Sequence, residues 1–435
     1  MAITVSQVNG AFQFSGRAYN PTEAKNEALE PYGMILHNYG LVLSLLPSSE
    51  QKTMFVQQIG NARFVRNHYL NDRIEYYKET GKSLSVNEYK EHMLPKLKEE
   101  FPFLMQSDKF ALESSLENVD AAYKNFFAKR AKFPKFTSKN KPSGNCYKTK
   151  FTNNNIRVEM VDDLPMLRLP KVGEVQFILP AGSKLSDIVP PRTSILSVVI
   201  KRVGDSYTAS LQLEAIVPKP DEITKVNERD ILAADLGLKH FMVIGGVDGE
   251  EMIPNPRWIK LHERRLRRLQ KSMSRKQYNE KTHIGSKNWN KARLKVLKEH
   301  KKIANQRKDF HHKLSRAIAD SCDVFCCESL NIKGMVKNRH LSKAISSVGW
   351  SQFLEKVKYK MEWLGKRFIQ VDRWMPSSQI CSSCGYKNPE VKDLRIRKWT
   401  CPKCGKVHDR DINAKDNLLK ECIRLLKNSG VAVAA

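Results

Sequence analysis

The stretch "ILAADLGLKHFMVIGG", residues 231–246, sets an acid inside an otherwise apolar segment. Two short apolar runs around a glycine-containing turn read as a pair of strands. Asp235 interrupts the first run. A carboxylate there costs several kcal/mol unless it is paired or binds a metal. The plain alternative is an aspartate at the strand end, capping a turn before Gly237. "CDVFCCESL", 322–330, repeats the pattern, an apolar strand closed by Glu328. Open α/β sheets place ligands at the ends of central strands. Cys322, Cys326 and Cys327 on this second strand read as core residues.

A third acid comes from "HDRDINAKDN", 408–417. If a helix begins near Asp411, then Asp411, Ala414, Leu418 and Cys422 share one face, with Leu425 close by. That face is apolar and must pack on the sheet. Asp409 then suits a helix cap and Asp416 a solvated charge, so only Asp411 is aimed inward. Two strand-end acids and one helix-face acid can converge on one sheet edge. Three carboxylates can hold two Mg²⁺ ions roughly 3.5–4 Å apart, an arrangement suited to phosphodiester cleavage.

Four of the nine cysteines form "CSSCGYKNPEVKDLRIRKWTCPKCG", with Cys381, Cys384, Cys401 and Cys404 in two CxxC pairs, each followed by glycine. Two residues between thiolates let a tight turn aim both sulfurs at one ion. The spacing predicts a closed, structural Zn²⁺ site. The remaining cysteines have no framework spacing, which suits a reducing compartment rather than disulfides. Arg395 and Arg397, between the knuckles, are candidates for contact with nucleic acid.

The formal net charge of +29 and pI ≈ 9.7 point to a polyanion partner. No apolar run reaches the roughly 18 residues of a membrane span. The N-terminal residues lack the pattern of a secretory signal, so a cytoplasmic, nucleoid-associated protein of a prokaryote is expected.

Along the chain, 1–33 reads as an extension with little core of its own, and 39–47 as a short strand. A capped helix follows from Ser48 to Gly81, with Phe55, Ile59, Phe64 and Leu70 on a buried face. A second helical block runs from about Ser85 to Lys132. "RAKFPKFTSKNKPSGNCYKTKFTNNN", 130–155, is basic, aromatic and turn-rich, and reads as a nucleic-acid surface rather than a core element. Alternation over 156–217 predicts a small β-barrel. Residues 257–316 form a basic helical pair, with Ile259, Leu266, Leu269 and Met273 near one face. Arg264 and Arg268 on it are phosphate-contact candidates, and His311 and His312 are expected to be solvated or phosphate-facing.

The motifs "GNARFVRNHYL", "DKFALESSLENVDAAYKNFF", "ADLGLKHF", "CESLNIKGM", "SSVGWSQF", the cysteine ribbon and "HDRDINAKDN" together resemble the TnpB family, RNA-guided nucleases of small insertion sequences, and the related miniature type V CRISPR effectors. The resemblance spans about Tyr39 to Leu419. It implies a multidomain α/β protein: a RuvC-like, ribonuclease H-type nuclease domain with a zinc-ribbon insertion, a β-barrel wedge domain and a helical recognition lobe. The implied division is an N-terminal extension at 1–36, the wedge at 37–47 and 136–225, and the recognition lobe at 48–135. The nuclease part with its basic helical insert would span 226–373, the ribbon 374–408 and the C-terminal nuclease part 409–435. The family's catalytic acids match Asp235, Glu328 and Asp411. The implied partners are a guide RNA and double-stranded target DNA, and the implied ions are two catalytic Mg²⁺ and one Zn²⁺. Lys109 and Thr152 fit the family's motif-reading surface. Glu113 stands where relatives often carry glutamine, and a glutamate accepts from cytosine N4 rather than reading adenine. An RNA-guided repressor without cleavage and an RNA-independent resolvase or transposase are the competing functions.

Overall fold

The computed structural model describes residues 3–434 apart from 9–10, 17–20, 140–143, 191–192, 281–283 and 394. The chain divides into two units, Met1–Pro218 and Lys219–Asn279 with Ile284–Ala435.

The first unit opens with an antiparallel hairpin, β1 (Ile3–Val8) and β2 (Ala11–Gly16), and helix α1 (Pro21–Leu29). This segment, expected as an extension with little core of its own, is tied to the sheet at a few points. Leu29 is fully buried, the Asn26 side chain accepts from the Leu36 N–H at 2.8 Å, and Lys25 pairs with Glu214 at 2.8 Å. Strand β3 (Met34–Leu45) starts five residues before the predicted 39. His37 and Asn38 hide its beginning in the sequence, but a ladder with β9 (Ser206–Pro218) runs from Met34↔Pro218 to Leu45↔Tyr207 and holds all of it extended. The other strands are β4 (Cys146–Lys150), β5 (Arg157–Val161), β6 (Leu164–Leu169), β7 (Gly173–Ile178) and β8 (Thr193–Val203), with the one-turn helix α6 (Leu185–Ile188) before β8. Together they make a seven-stranded antiparallel sheet in the order β4-β8-β9-β3-β7-β6-β5.

Between β3 and β4 come α2 (Ser49–Thr80), the short α3 (Val86–Glu88) and α4 (Leu94–Glu100), and α5 (Lys109–Phe127). The predicted cap is present: Ser48 and Gln51 form a reciprocal capping box, and Gly81 ends α2 at φ +68°. Phe55, Ile59 and Leu70 are buried as expected, whereas Phe64 is only partly so. The segment 130–155 is not all surface. Its β4 buries Tyr147 and Thr149, and the Thr149 hydroxyl donates to the carboxylate of Asp108, the N-cap of α5.

In the second unit a five-stranded sheet has the order β13-β12-β11-β16-β17. Its members are β11 (Ile231–Leu236), β12 (His240–Gly245), β13 (Glu250–Pro254), β16 (Val324–Glu328) and β17 (Arg367–Val371). The β11–β16 and β16–β17 pairs are parallel, the others antiparallel. A small parallel pair, β10 (Lys225–Asn227) with β20 (Ala432–Ala434), stands apart from it. The long helices α7 (Trp258–Ser274) and α8 (Lys287–Ser321) flank a two-residue hairpin, β14 (Tyr278–Asn279) and β15 (Ile284–Gly285). Then follow α9 (Ile332–Met335), α10 (Ser342–Val348), α11 (Trp350–Trp363), the pair β18 (Lys398–Thr400) and β19 (Val407–Asp409), and α12 (Arg410–Asn428).

This sheet is covered on both faces, which is why its central strands are nearly continuous apolar runs. Ala234, Phe325 and Cys327 face a core with α8, α10 and α11, while Ala233, Val324 and Cys326 face one with α12. His311 is a correction to the expected solvated histidine. It is fully buried between Phe241, Trp258, Phe310 and Phe353, with Nε2 3.0 Å from the Val348 carbonyl. A helical projection of a lysine-rich segment cannot show that one turn of α8 dips under α10 and α11.

Candidate active site and metal centre

Strand alternation fixes where the first two acids point. Asp235 follows Ala233 by two residues, and Glu328 follows Cys326 by two, so both face the α12 side. The parallel register pairs Ala234 with Cys327, which sets Asp235 and Glu328 side by side at the strand ends. Helix α12 packs across β11, β16 and β17. Its N-cap is Asp409, as expected, accepting from the N–H groups of Asp411 at 3.0 Å and Ile412 at 3.4 Å. Asp411 therefore sits in the first turn, at the positive end of the helix dipole.

The electrostatics tie the three acids together. Burial pushes the Asp235 carboxyl from the ordinary 3.8 up to about 7, and the charges of Asp411 and Glu328 add to the push. Arg410 and Arg397 oppose it. Burial also raises Glu328. Arg397 Nη1 donates to Asp411 Oδ1 at 3.3 Å, so this predicted nucleic-acid residue rests on the third carboxylate. Arg410 is buried and donates to the Asp393 carbonyl at 2.9 Å. A cluster of partly desolvated carboxylates that repel one another weakens the fold unless a cation joins them. Their oxygens are not packed into one tight shell. Among the described residues, only the cysteine set has three or more ligand atoms all within 4.8 Å of one another.

That cysteine set fits a tetrahedral ion. Cys381 and Cys404 sulfurs are 3.7 Å apart, and those of Cys384 and Cys401 are 3.6 Å apart. A tetrahedron with Zn–S near 2.3 Å has edges of about 3.8 Å. Each knuckle closes on a glycine with positive φ, Gly385 at +75° and Gly405 at +71°, whose N–H donates to Cys381 O and Cys401 O at 2.9 Å. His408 Nε2 lies 3.1 Å from Cys381 Sγ.

Two residues were missed by the sequence reading. Asn413 donates to the Ile380 carbonyl at 2.7 Å and accepts from the Ser382 N–H at 2.8 Å. Asn417 donates to the carbonyls of Ser377 at 2.8 Å and Ile380 at 2.6 Å. Both are buried, and together they clamp the first cysteine knuckle to the helix that carries Asp411. The available signal was two asparagines, poor helix formers, four residues apart in a helix. Asp416 is a partly exposed charge, and it also holds the buried Lys415 ammonium at 2.7 Å.

The other candidates are dispersed. Arg264 and Arg268 are exposed on α7. Arg395 is held by Asp393 at 2.7 Å. In the first unit, Lys109 is 3.7 Å from Glu113 on the first turns of α5, and the Thr152 N–H donates to Asn155 Oδ1 at 2.8 Å.

The chain is thus a mixed α/β protein with acids at neighbouring strand ends and a four-cysteine cluster. Residues 350–418 match the model of the Cas12f1-like TNB domain, residues 214–339 the OrfB_IS605 model described as "Probable transposase", and residues 41–82 the OrfB_IS605 helix-turn-helix domain. Residues 41–82 fold here as the end of β3 and one continuous helix. A Streptomyces pristinaespiralis protein, named as a candidate RNA-guided DNA endonuclease, is 31% identical over 378 residues, 86% of each chain. InsQ of Escherichia coli K12, named likewise, is 25% identical over 391 residues, 86% of this chain and 90% of that one. The solved Cas12f1-sgRNA-target DNA complex contains a chain with TM-score 0.52 and 14% identity, covering 89% of this chain and 99% of that one, a likeness of fold. The chain belongs to the TnpB family, the OrfB proteins of IS605-type elements. Among the described residues no helix is long and apolar enough to cross a membrane.

Proposed function

We propose that this protein is an RNA-guided DNA endonuclease with a single RuvC-like site formed by Asp235, Glu328 and Asp411. The observation that carries the reading is the convergence of the three acids, Asp235 and Glu328 side by side at parallel strand ends and Asp411 in the first turn of α12, with the Asp235 carboxyl pushed up by burial and by the other two. Perturbation of that kind, without a structural return, marks a functional site. The three carboxylates, hard oxygen donors, would hold two Mg²⁺ ions, which supply an activated water and charge neutralisation at the leaving oxygen when bound. The chain's own part is positional. The β11–β16 register sets two acids side by side, the α12 cap fixes the third, and the asparagine clamp ties the ribbon to that helix. Arg397 and Arg410 keep the cluster tolerable before metal arrives. The cysteine ribbon would hold one structural Zn²⁺, leaving no open position for substrate.

In this reading the first unit carries the recognition lobe, 48–135, and the wedge barrel, 37–47 with the part of 136–225 that ends at Pro218. They would hold the guide RNA and read a short duplex motif through Lys109, Glu113 and Thr152. Residues 226–373 and 409–435 form the nuclease part around the ribbon at 374–408. The test is D235A and E328A in the RNA-loaded protein: cutting should vanish while guide-dependent DNA binding stays. Retained cutting refutes the site, and cutting by the wild type without RNA refutes guidance.

A further inference from the structure

Away from the carboxylates, the first unit encloses a cavity of about 340 Å³. Its wall includes Arg63 and Arg66 of α2, Lys135, Phe136, Tyr147 and Lys148. The two arginines lie one helical turn apart, so they share a face. Both guanidinium groups are partly buried, and burial holds their pKa values below the ordinary one. Each is fixed by a backbone carbonyl: Arg63 Nη1 donates to Gly144 O at 3.0 Å, and Arg66 Nη1 to Lys135 O at 3.1 Å. Among the described residues no carboxylate pairs with either. Desolvated cations without a counter-ion are costly, and an incoming anion offsets that cost. The forked geometry of guanidinium groups suits phosphate.

The rest of the wall says what carries the phosphate. The segment holding Phe136 has no regular structure, yet Asn67 pins it twice: its side chain donates to Thr137 O at 2.9 Å and accepts from Thr137 N at 3.0 Å. The wall is therefore formed in advance. Phe136 keeps half its surface open, 51%, and offers a flat face for stacking. Anion-seeking forks beside a flat aromatic face describe a nucleotide. The volume is at the small end of ligand pockets, ~300–1,000 Å³, which suits one nucleotide and not a duplex.

We infer that this cavity seats a single unstacked nucleotide of a bound strand, its phosphate on Arg63 and Arg66 and its base against Phe136. The inference rests only on the nucleic-acid part of the function proposed above. The full chain is mixed with single-stranded oligonucleotides carrying 5-iodouracil, one ribo and one deoxyribo, irradiated, and mapped by peptide mass spectrometry. A crosslink to the peptide containing Phe136 is expected from at least one probe, and the sugar it prefers identifies the strand as RNA or DNA. In R63Q/R66Q that crosslink should fall about tenfold, while crosslinks on α7 persist. Should the double variant melt early, F136S at the exposed ring keeps the question open to decision: affinity for the preferred probe should drop at least about fivefold. A crosslink absent from this peptide with both probes, or undiminished in the variants, overturns the inference. Absent crosslinks with guided cutting intact sink this site alone. Crosslinks intact with no cutting sink the endonuclease reading alone.

Discussion

Replacing Asp235 by asparagine should make the second unit more stable, not less, in magnesium-free buffer above neutral pH. Removing a half-buried polar group's charge usually gains little, but this carboxyl is raised from 3.8 to about 7, by burial first and then by Asp411 and Glu328. A folded-state pKa above the unfolded one means the folded protein holds its proton longer. Relative stability is then complete below the unfolded pKa, near 4, and is lost as pH rises through about 7. At 1.36 kcal/mol per pH unit, about three units set a ceiling of about 4 kcal/mol, and solvent access to a partly open site lowers this to roughly 2. For a domain of this size that is a rise of roughly 4–8 °C in melting temperature. Thermal melts of D235N and wild type at pH 4.5 and pH 8 should differ little at the acid end and by that margin at the alkaline end. Adding Mg²⁺ at pH 8 should raise the wild type's melting temperature and leave D235N nearly unchanged. A D235N protein that melts lower than wild type at pH 8, or a difference independent of pH, refutes the claim that the acid cluster is strained and awaits a cation.

Other perturbations probe the surroundings. Arg397→Ala removes one of the two charges holding Asp235 down, so the alkaline shift of the carboxyl should grow and the pH–activity profile should move upward. Asn413→Ala leaves the Ser382 N–H and a share of the Ile380 carbonyl unsatisfied in a buried place. It should cost about 1–3 kcal/mol and reduce cutting with guide-RNA affinity unchanged. Elemental analysis should find one zinc per chain, and Cys401→Ser should abolish it and expose the ribbon to protease. His311 runs the opposite way to Asp235. Burial lowers it to about 4, so its contribution is lost as pH falls from 6.5 toward 4, by at most about 3 kcal/mol, measurable as acid unfolding that His311→Phe blunts.

The sheet was legible because its strands are buried on both faces. Such strands must be apolar throughout, so Asp235 and Glu328 stood out as exceptions, and the CxxC spacing set four cysteines apart as a candidate metal site. Asp411 could be singled out from its neighbours because helical periodicity is a local property. Those signals depend on a few residues near in sequence, and the sequence alone determined them. The rest needed contacts between distant segments. Nothing near His311 in the chain reveals the aromatic box closed by Phe241 and Phe353, and nothing near Asn413 reveals the Ile380 carbonyl it holds. The early start of β3 came from a partner strand some 170 residues away, whose hydrogen-bonding groups had to be matched. Arg397 was read as a nucleic-acid contact and Asp416 as a solvated charge, and neither reading could include the partner it meets, because a sequence shows charge but not its counter-ion. Only the tertiary structure decides which charges meet, since pairing depends on distance in space and on how much water is left between the groups.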